Sequence, residues 1–213
     1  MGLLVFGFLW LLVSVWSSTV TADESIFSLV EKGHASVGEQ LTESERCQEC
    51  HGKSGMSTDA RIPNHAGQHA AYLVKQLQAF RAGDRHHEIM NRMAEDLTDQ
   101  DIADIAAYFS AQPTMRGETG AGRTTAGALF SHGDKARGID ACASCHGDRG
   151  QGKIEKGVVY PRIGGQRRLY LSGQLVSWKF GDRRNSPEGV MNQTASHLTD
   201  DEIDALADYI AGL

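Results

Sequence analysis

Apolar side chains recur at helical spacing in four stretches of the chain, and the four form two matched pairs. Within residues 67–85, Tyr72, Leu73, Gln76, Leu77 and Phe80 fall on one helical face, and within 165–183 so do Tyr170, Leu171, Gln174, Leu175 and Trp178. Further on, Ile102, Ile105, Ala106 and Phe109 keep the same period, as do Ile203, Leu206, Ala207 and Ile210. Each of these later stretches opens on a capping signal. Thr98 with Asp101, and Thr199 with Glu202, can satisfy the unpaired amides of a first helical turn. Pro113 stops the first set. No stretch alternates apolar and polar positions for long, so the pattern predicts an all-α protein without a substantial sheet, with three or four short helices in each half.

The pairing is a duplication. "GQHAAYLVKQLQAFRAGDR" (67–85) aligns with "GQRRLYLSGQLVSWKFGDR" (165–183) at nine of nineteen positions, and "IPNHAGQ" aligns with "YPRIGGQ". Cys142 stands 95 residues after Cys47, Pro161 98 after Pro63, and Met191 101 after Met90, so the second copy holds two three-residue insertions. A repeat of about 90 residues occurring twice describes two domains rather than a solenoid. The boundaries read as a signal peptide over 1–22, a first domain over 23–113, a Gly/Thr-rich linker over 114–126 and a second domain over 127–213. Helical domains this small have little core of their own and call for something to fill the middle.

The N-terminus changes the compartment. Leu3–Trp16 is an apolar run of 14 residues, short of the roughly 20 a membrane-spanning helix needs, and Val20-Thr21-Ala22 offers a cleavage site before Asp23. The expectation is export to the periplasm through a signal peptide. No Lys or Arg precedes the run, which leaves an uncleaved anchor as the alternative. Charge is uneven: residues 23–117 carry 15 acidic and 9 basic side chains, residues 118–213 carry 12 of each. A neutral-to-acidic surface excludes nucleic acid as a partner and suits a basic or dipolar protein.

All four cysteines lie in two copies of one motif, "CQECH" (47–51) and "CASCH" (142–146). In Cys-x-x-Cys-His two thiols one turn apart can add to the vinyl groups of a haem, and the following histidine then lies under the iron. Cys47, Cys50, Cys142 and Cys145 are thus the candidate attachment points of two covalent haem c groups, with His51 and His146 as axial ligands. A four-cysteine zinc site would place its pairs roughly 15–20 residues apart, and structural disulfides would leave the histidines unexplained. The sixth ligand decides the chemistry: a methionine closes the site and makes a carrier, an open position makes a catalyst. Met90 and Met191 stand at equivalent places in the two copies. Met93, one turn further along, is a rival in the first copy, where the second has Thr194. His65, His69, His86, His87, His132 and His197 have no counterpart in the other copy and read as surface or core residues.

Taken together, the two CxxCH motifs, the P-x-x-G/A-G-Q turns, the "YL..QL" and "MN" segments and the "LTD..I..LA.Y" helices resemble the cytochrome c4 family over nearly all of residues 25–213. "ALFSHGDKARGIDACASCHGDRGQG" (128–152) is especially similar to its second domain. The resemblance implies two tandem class I cytochrome c domains, each a few short helices wrapped around one haem. It implies His/Met ligation at both irons, a pseudo-twofold arrangement with the haems near the interface, and Pro63 and Pro161 carbonyls that accept the Nδ1 proton of the axial histidines. It also implies a periplasmic electron-transfer protein with no catalytic residues, exchanging single electrons with redox proteins such as a membrane-bound oxidase or dehydrogenase. The alternative is the haem subunit of a larger enzyme, such as a flavocytochrome sulfide dehydrogenase; a haem enzyme with an open iron is a third, remoter reading. With the acidic excess in the first half, the first haem is expected to have the lower potential, because negative surroundings disfavour the reduced form.

Overall fold

The structure, a computed structural model, describes residues 22–117 and 125–213. The signal peptide expected over 1–22 lies, but for its last residue, outside the described residues, as do residues 118–124 of the expected linker.

Both halves are helical and repeat one order. The first contains α1 (Ala22–Val30), α2 (Ala35–Ser44), α3 (Cys47–His51), α4 (Ala70–Ala82), α5 (Glu88–Ala94) and α6 (Asp99–Ser110). The second contains α7 (Thr125–His132), α8 (Cys142–His146), α9 (Arg168–Phe180), α10 (Val190–Ser196) and α11 (Asp200–Ala211). Helices α2–α6 correspond in order to α7–α11, and α1 is an addition. Among the described residues six and five α-helices stand where three or four were expected in each half, because α3 and α8 are single turns, too short to show a period, and α1 is an addition.

The capping signals form as read. In α6 and α11 the Thr98 and Thr199 side chains accept from the backbone amides of Asp101 and Glu202, whose carboxylates accept in return from the cap amides. Thr199→Ala is therefore expected to cost about 1 kcal/mol and to lower the melting temperature by about 2–4 °C. A thermal melt of the haem-loaded protein checks this, with the absorption spectrum unchanged.

In the first core Leu73, Phe80, Ile102, Ile105 and Phe109 pack together, and in the second Phe130, Leu171, Ile203, Leu206 and Ile210 do. Helix α4 buries more than its one anticipated face. Val74, fully buried, belongs to the same cluster, against which α1 lays Ile26, Leu29 and Val30. Among the described residues the second half has no such extra helix. On α9, Leu169, Val176 and Phe180 share one face and stand 44%, 38% and 69% exposed.

One small sheet was not anticipated. β1 (Lys153–Glu155) pairs antiparallel with β2 (Val158–Tyr160), with Lys153 opposite Tyr160. Lys156 and Gly157 turn the chain with φ of +51° and +78°, as the tight two-residue hairpin turn requires. Three-residue strands are too short to reveal alternation, and the hairpin falls where the second copy carries its first insertion.

The two halves meet along a seam with paired hydrogen bonds. The Gln166 side chain accepts from the Asn64 amide (2.7 Å) and donates to its carbonyl (2.9 Å). Gln68, its counterpart, accepts from the Arg162 amide (2.9 Å) and donates to its carbonyl (2.8 Å). The start of the expected linker is packed here. The Met115 amide donates to the Ala66 carbonyl, and the side chain is 3% exposed beside Gln166. Equivalent glycines make room for this segment. A Cβ on Gly67 (φ +64°) would lie 2.6 Å from Thr114 Cα, and one on Gly165 (φ +76°) 2.6 Å from the Arg116 carbonyl carbon. Among the described residues no helix is long and apolar enough to cross a membrane.

Candidate functional site

Each CxxCH motif folds as one helical turn closed by a glycine with positive φ, Gly52 (+79°) or Gly147 (+82°). A turn puts the two thiols three residues apart on one side and the histidine four residues after the first. Cys47 packs against the first core and Cys142 against the second, and burial pushes each of these thiols up to about 11. Cys50 is exposed and Cys145 half-buried. The first cysteine of each pair thus packs against the core.

His51 and His146 are 7% and 8% exposed. The Nδ1 of His51 lies 2.9 Å from the Pro63 carbonyl oxygen, and the Nδ1 of His146 2.9 Å from that of Pro161. A carbonyl only accepts, so each Nδ1 carries the proton and Nε2 keeps its lone pair for a metal. Burial lowers the pKa of both rings, against the opposing pull of these hydrogen bonds, and favours the neutral, ligating form.

Met90 and Met191 lie half-buried near the start of α5 and α10, and Met90 packs against the first core. The asparagine after each fastens its helix in the same way. Asn91 Nδ2 donates to the Phe80 and Arg85 carbonyls (2.6 and 3.0 Å), and Asn192 Nδ2 to the Trp178 and Arg183 carbonyls (both 2.8 Å). Met93, also half-buried, has no sulfur counterpart in α10, where Thr194 instead bonds the Val190 carbonyl.

Two site features escaped the sequence reading. The first is a pair of buried guanidiniums, Arg85 and Arg183, 8% and 7% exposed. Arg85 donates to Gln76 in its own half and to Tyr170 and Gln174 across the seam. Arg183 mirrors it with Gln174 in its own half and Tyr72 and Gln76 across. Each stacks on an aromatic ring, Arg85 on Phe80 at 4.6 Å and Arg183 on Trp178 at 4.3 Å. Burial alone would raise the Tyr72 phenol, but the two cations hold it below its ordinary value. Every one of these partners is neutral. Two like charges buried together without a carboxylate call for an anion. The acidic edge of a porphyrin supplies one, so the residues present fit a haem on three counts: thiols, histidines and buried cations.

The second is His65. Its ring lies 4.1 Å from that of His51, tilted by 31°, and 5.4 Å from Phe109. Burial pushes its pKa well down, helped by His51 and Arg85. The signal was in the repeat: at this place "IPNHAGQ" has histidine and "YPRIGGQ" isoleucine. His86 and His87 remain exposed and His69 half-buried; His87 caps α5 by accepting from the Met90 amide.

Two small helical domains, each presenting CxxCH on a single turn beside its core, define a c-type cytochrome, a protein that binds haem c covalently. The cytochrome c profile matches residues 35–112 and 131–213. The chain is 38% identical to cytochrome c4 of Thiocapsa roseopersicina, over 78% of this chain and 86% of that one. It is 36% identical to a thiosulfate dehydrogenase electron acceptor of Stutzerimonas stutzeri (strain A1501), over 78% of each. The crystal structure of reduced recombinant cytochrome c4 from Pseudomonas stutzeri superposes with a TM-score of 0.78 at 36% identity, covering 85% of this chain and 99% of that one. The chain belongs to the cytochrome c4 family, and is a di-haem electron-transfer protein rather than an enzyme.

Proposed function

We propose that the chain is a periplasmic carrier with one haem in each half. The first is attached through Cys47 and Cys50 and ligated by His51 and Met90, the second through Cys142 and Cys145 and ligated by His146 and Met191. The observation that carries this is the pair of buried histidines, each with Nδ1 tied to a proline carbonyl at 2.9 Å and Nε2 left to ligate. A bound haem supplies the one-electron Fe(III)/Fe(II) couple. Pro63 and Pro161 hold the His51 and His146 rings in one orientation, and with a haem bound the apolar helices would exclude water and Arg85 with Arg183 would offset its negative groups. Ligands held this rigidly would limit geometric change between the two oxidation states.

The donor and acceptor are redox proteins. Because one relative is a thiosulfate dehydrogenase electron acceptor, a dehydrogenase is the donor class proposed, with a membrane-bound oxidase as acceptor. A second reading, permanent attachment to such a dehydrogenase, is favoured by the exposed apolar face of α9 at Leu169, Val176 and Phe180. One experiment tests both. The exported protein is purified from its native host and weighed intact. A single chain beginning near Asp23 and carrying two haems is the expected result. A chain with no haem mass sinks the proposal, and a stoichiometric second polypeptide replaces the free carrier with the attached subunit.

A further inference from the structure

The two halves are built to one plan, but the ground beneath their axial histidines differs. Beside His51 runs a chain of rings, each tilted on the one before: His65 at 4.1 Å, then Phe109 5.4 Å from His65, then Tyr108 5.3 Å from Phe109. At the corresponding places the second half has Ile163, Ile210 and Tyr209, and Tyr209 pairs instead with Phe130, at 5.4 Å. Among the described residues His146 has no ring neighbour of this kind. His65 is held by more than its ring: its backbone amide donates to the Gly55 carbonyl at 2.7 Å. The imidazole of His51 is thereby gripped at Nδ1 by Pro63 and across its face by His65, whereas His146 is gripped at Nδ1 by Pro161.

We propose that His65 is a positioning residue that acts through His51 to hold the first haem at a lower reduction potential than the second. This rests on the reading of His51 as an axial ligand. Oxidation adds one positive charge at the iron. An uncharged but polar and polarisable ring against the axial imidazole stabilises that charge better than an alkyl side chain does, and so favours the oxidised form. The contact also fixes the plane of the His51 ring. The direction is the same as that set by the acidic excess of the first half, but the two origins separate on substitution, since His65→Ile leaves every charged residue in place.

The test uses the full-length exported protein with both haems bound, titrated reductively while NMR follows the two haems separately. His65→Ile is expected to raise the first-haem potential relative to the second, shifting the electron-sharing equilibrium between them by roughly threefold to tenfold, tenfold being 59 mV for a one-electron couple. Ile163→His is expected to lower the second-haem potential by a similar factor, and it decides the matter should His65→Ile fail to load haem. Both variants should keep the wild-type low-spin spectrum. A change below about twofold, or one of opposite sign, in a variant with that spectrum intact overturns the proposal and leaves the ligation reading standing. NMR of the wild type that lacked the strongly shifted ring signals of an iron-bound His51 would instead sink the ligation reading and this inference with it.

Discussion

Exchanging Met90 for alanine is expected to open one of the two irons, so that the reduced protein binds carbon monoxide at about half of its haem while the unmodified protein binds none. The basis is positional. Met90 and Met191 occupy matching places on α5 and α10, and Asn91 and Asn192 lock those places by the same pair of hydrogen bonds. Losing a thioether also removes a ligand that favours Fe(II). The potential of that haem should fall by on the order of 0.1–0.3 V, within the ~0.8 V range that axial ligands command. Met93→Ala is the control, expected to leave carbon monoxide binding and potential unchanged. Carbon monoxide binding in that variant alone would move the ligand to Met93. Binding in neither would remove methionine from the first iron.

Arg183→Leu should loosen the whole molecule. The guanidinium is buried and donates to Gln174, Tyr72 and Gln76, two of which belong to the other half, and its Nε donates to Asn185. Deleting it strands buried acceptors and removes one of the two buried guanidiniums at the seam. The expected cost is about 3 kcal/mol, on the order of 10 °C in melting temperature at about 2–4 °C per kcal/mol. Both potentials should fall together, because a buried cation between the halves favours the reduced, less positive state of each haem. Arg183→Lys separates the two effects. It keeps the charge but not the fork that reaches several acceptors, so the potentials should hold while part of the stability is lost. Calorimetry and a redox titration on the same samples check both. Unchanged potentials in Arg183→Leu would show that the cation is not felt at the haems.

The features legible in the chain are those set by near neighbours. The caps at Thr98 and Thr199 formed as written because a capping box needs only residues three apart. The CxxCH turns needed only five residues to place thiols and imidazole on their helix. Comparing the two copies added what single windows could not, pairing Met90 with Met191 and Pro63 with Pro161. Where the reading missed, the elements were too short to show a period, as with α3, α8 and the 153–160 hairpin. At Met115 a polar stretch hid one buried side chain.

By itself, then, the sequence determined two helical domains and picked out the thiols, histidines and methionines proposed here for two haems. Each of these depends on spacing along one segment or on identity between two. The tertiary structure alone decided the seam and the asymmetry. Arg183 bonds Gln76, 107 residues away, and Gln166 bonds Asn64, 102 away, although the repeat would equally let each serve its own half. His65 likewise looks like any unpaired histidine until folding brings its ring onto His51. Such contacts depend on how two finished surfaces meet, and no local periodicity carries that information.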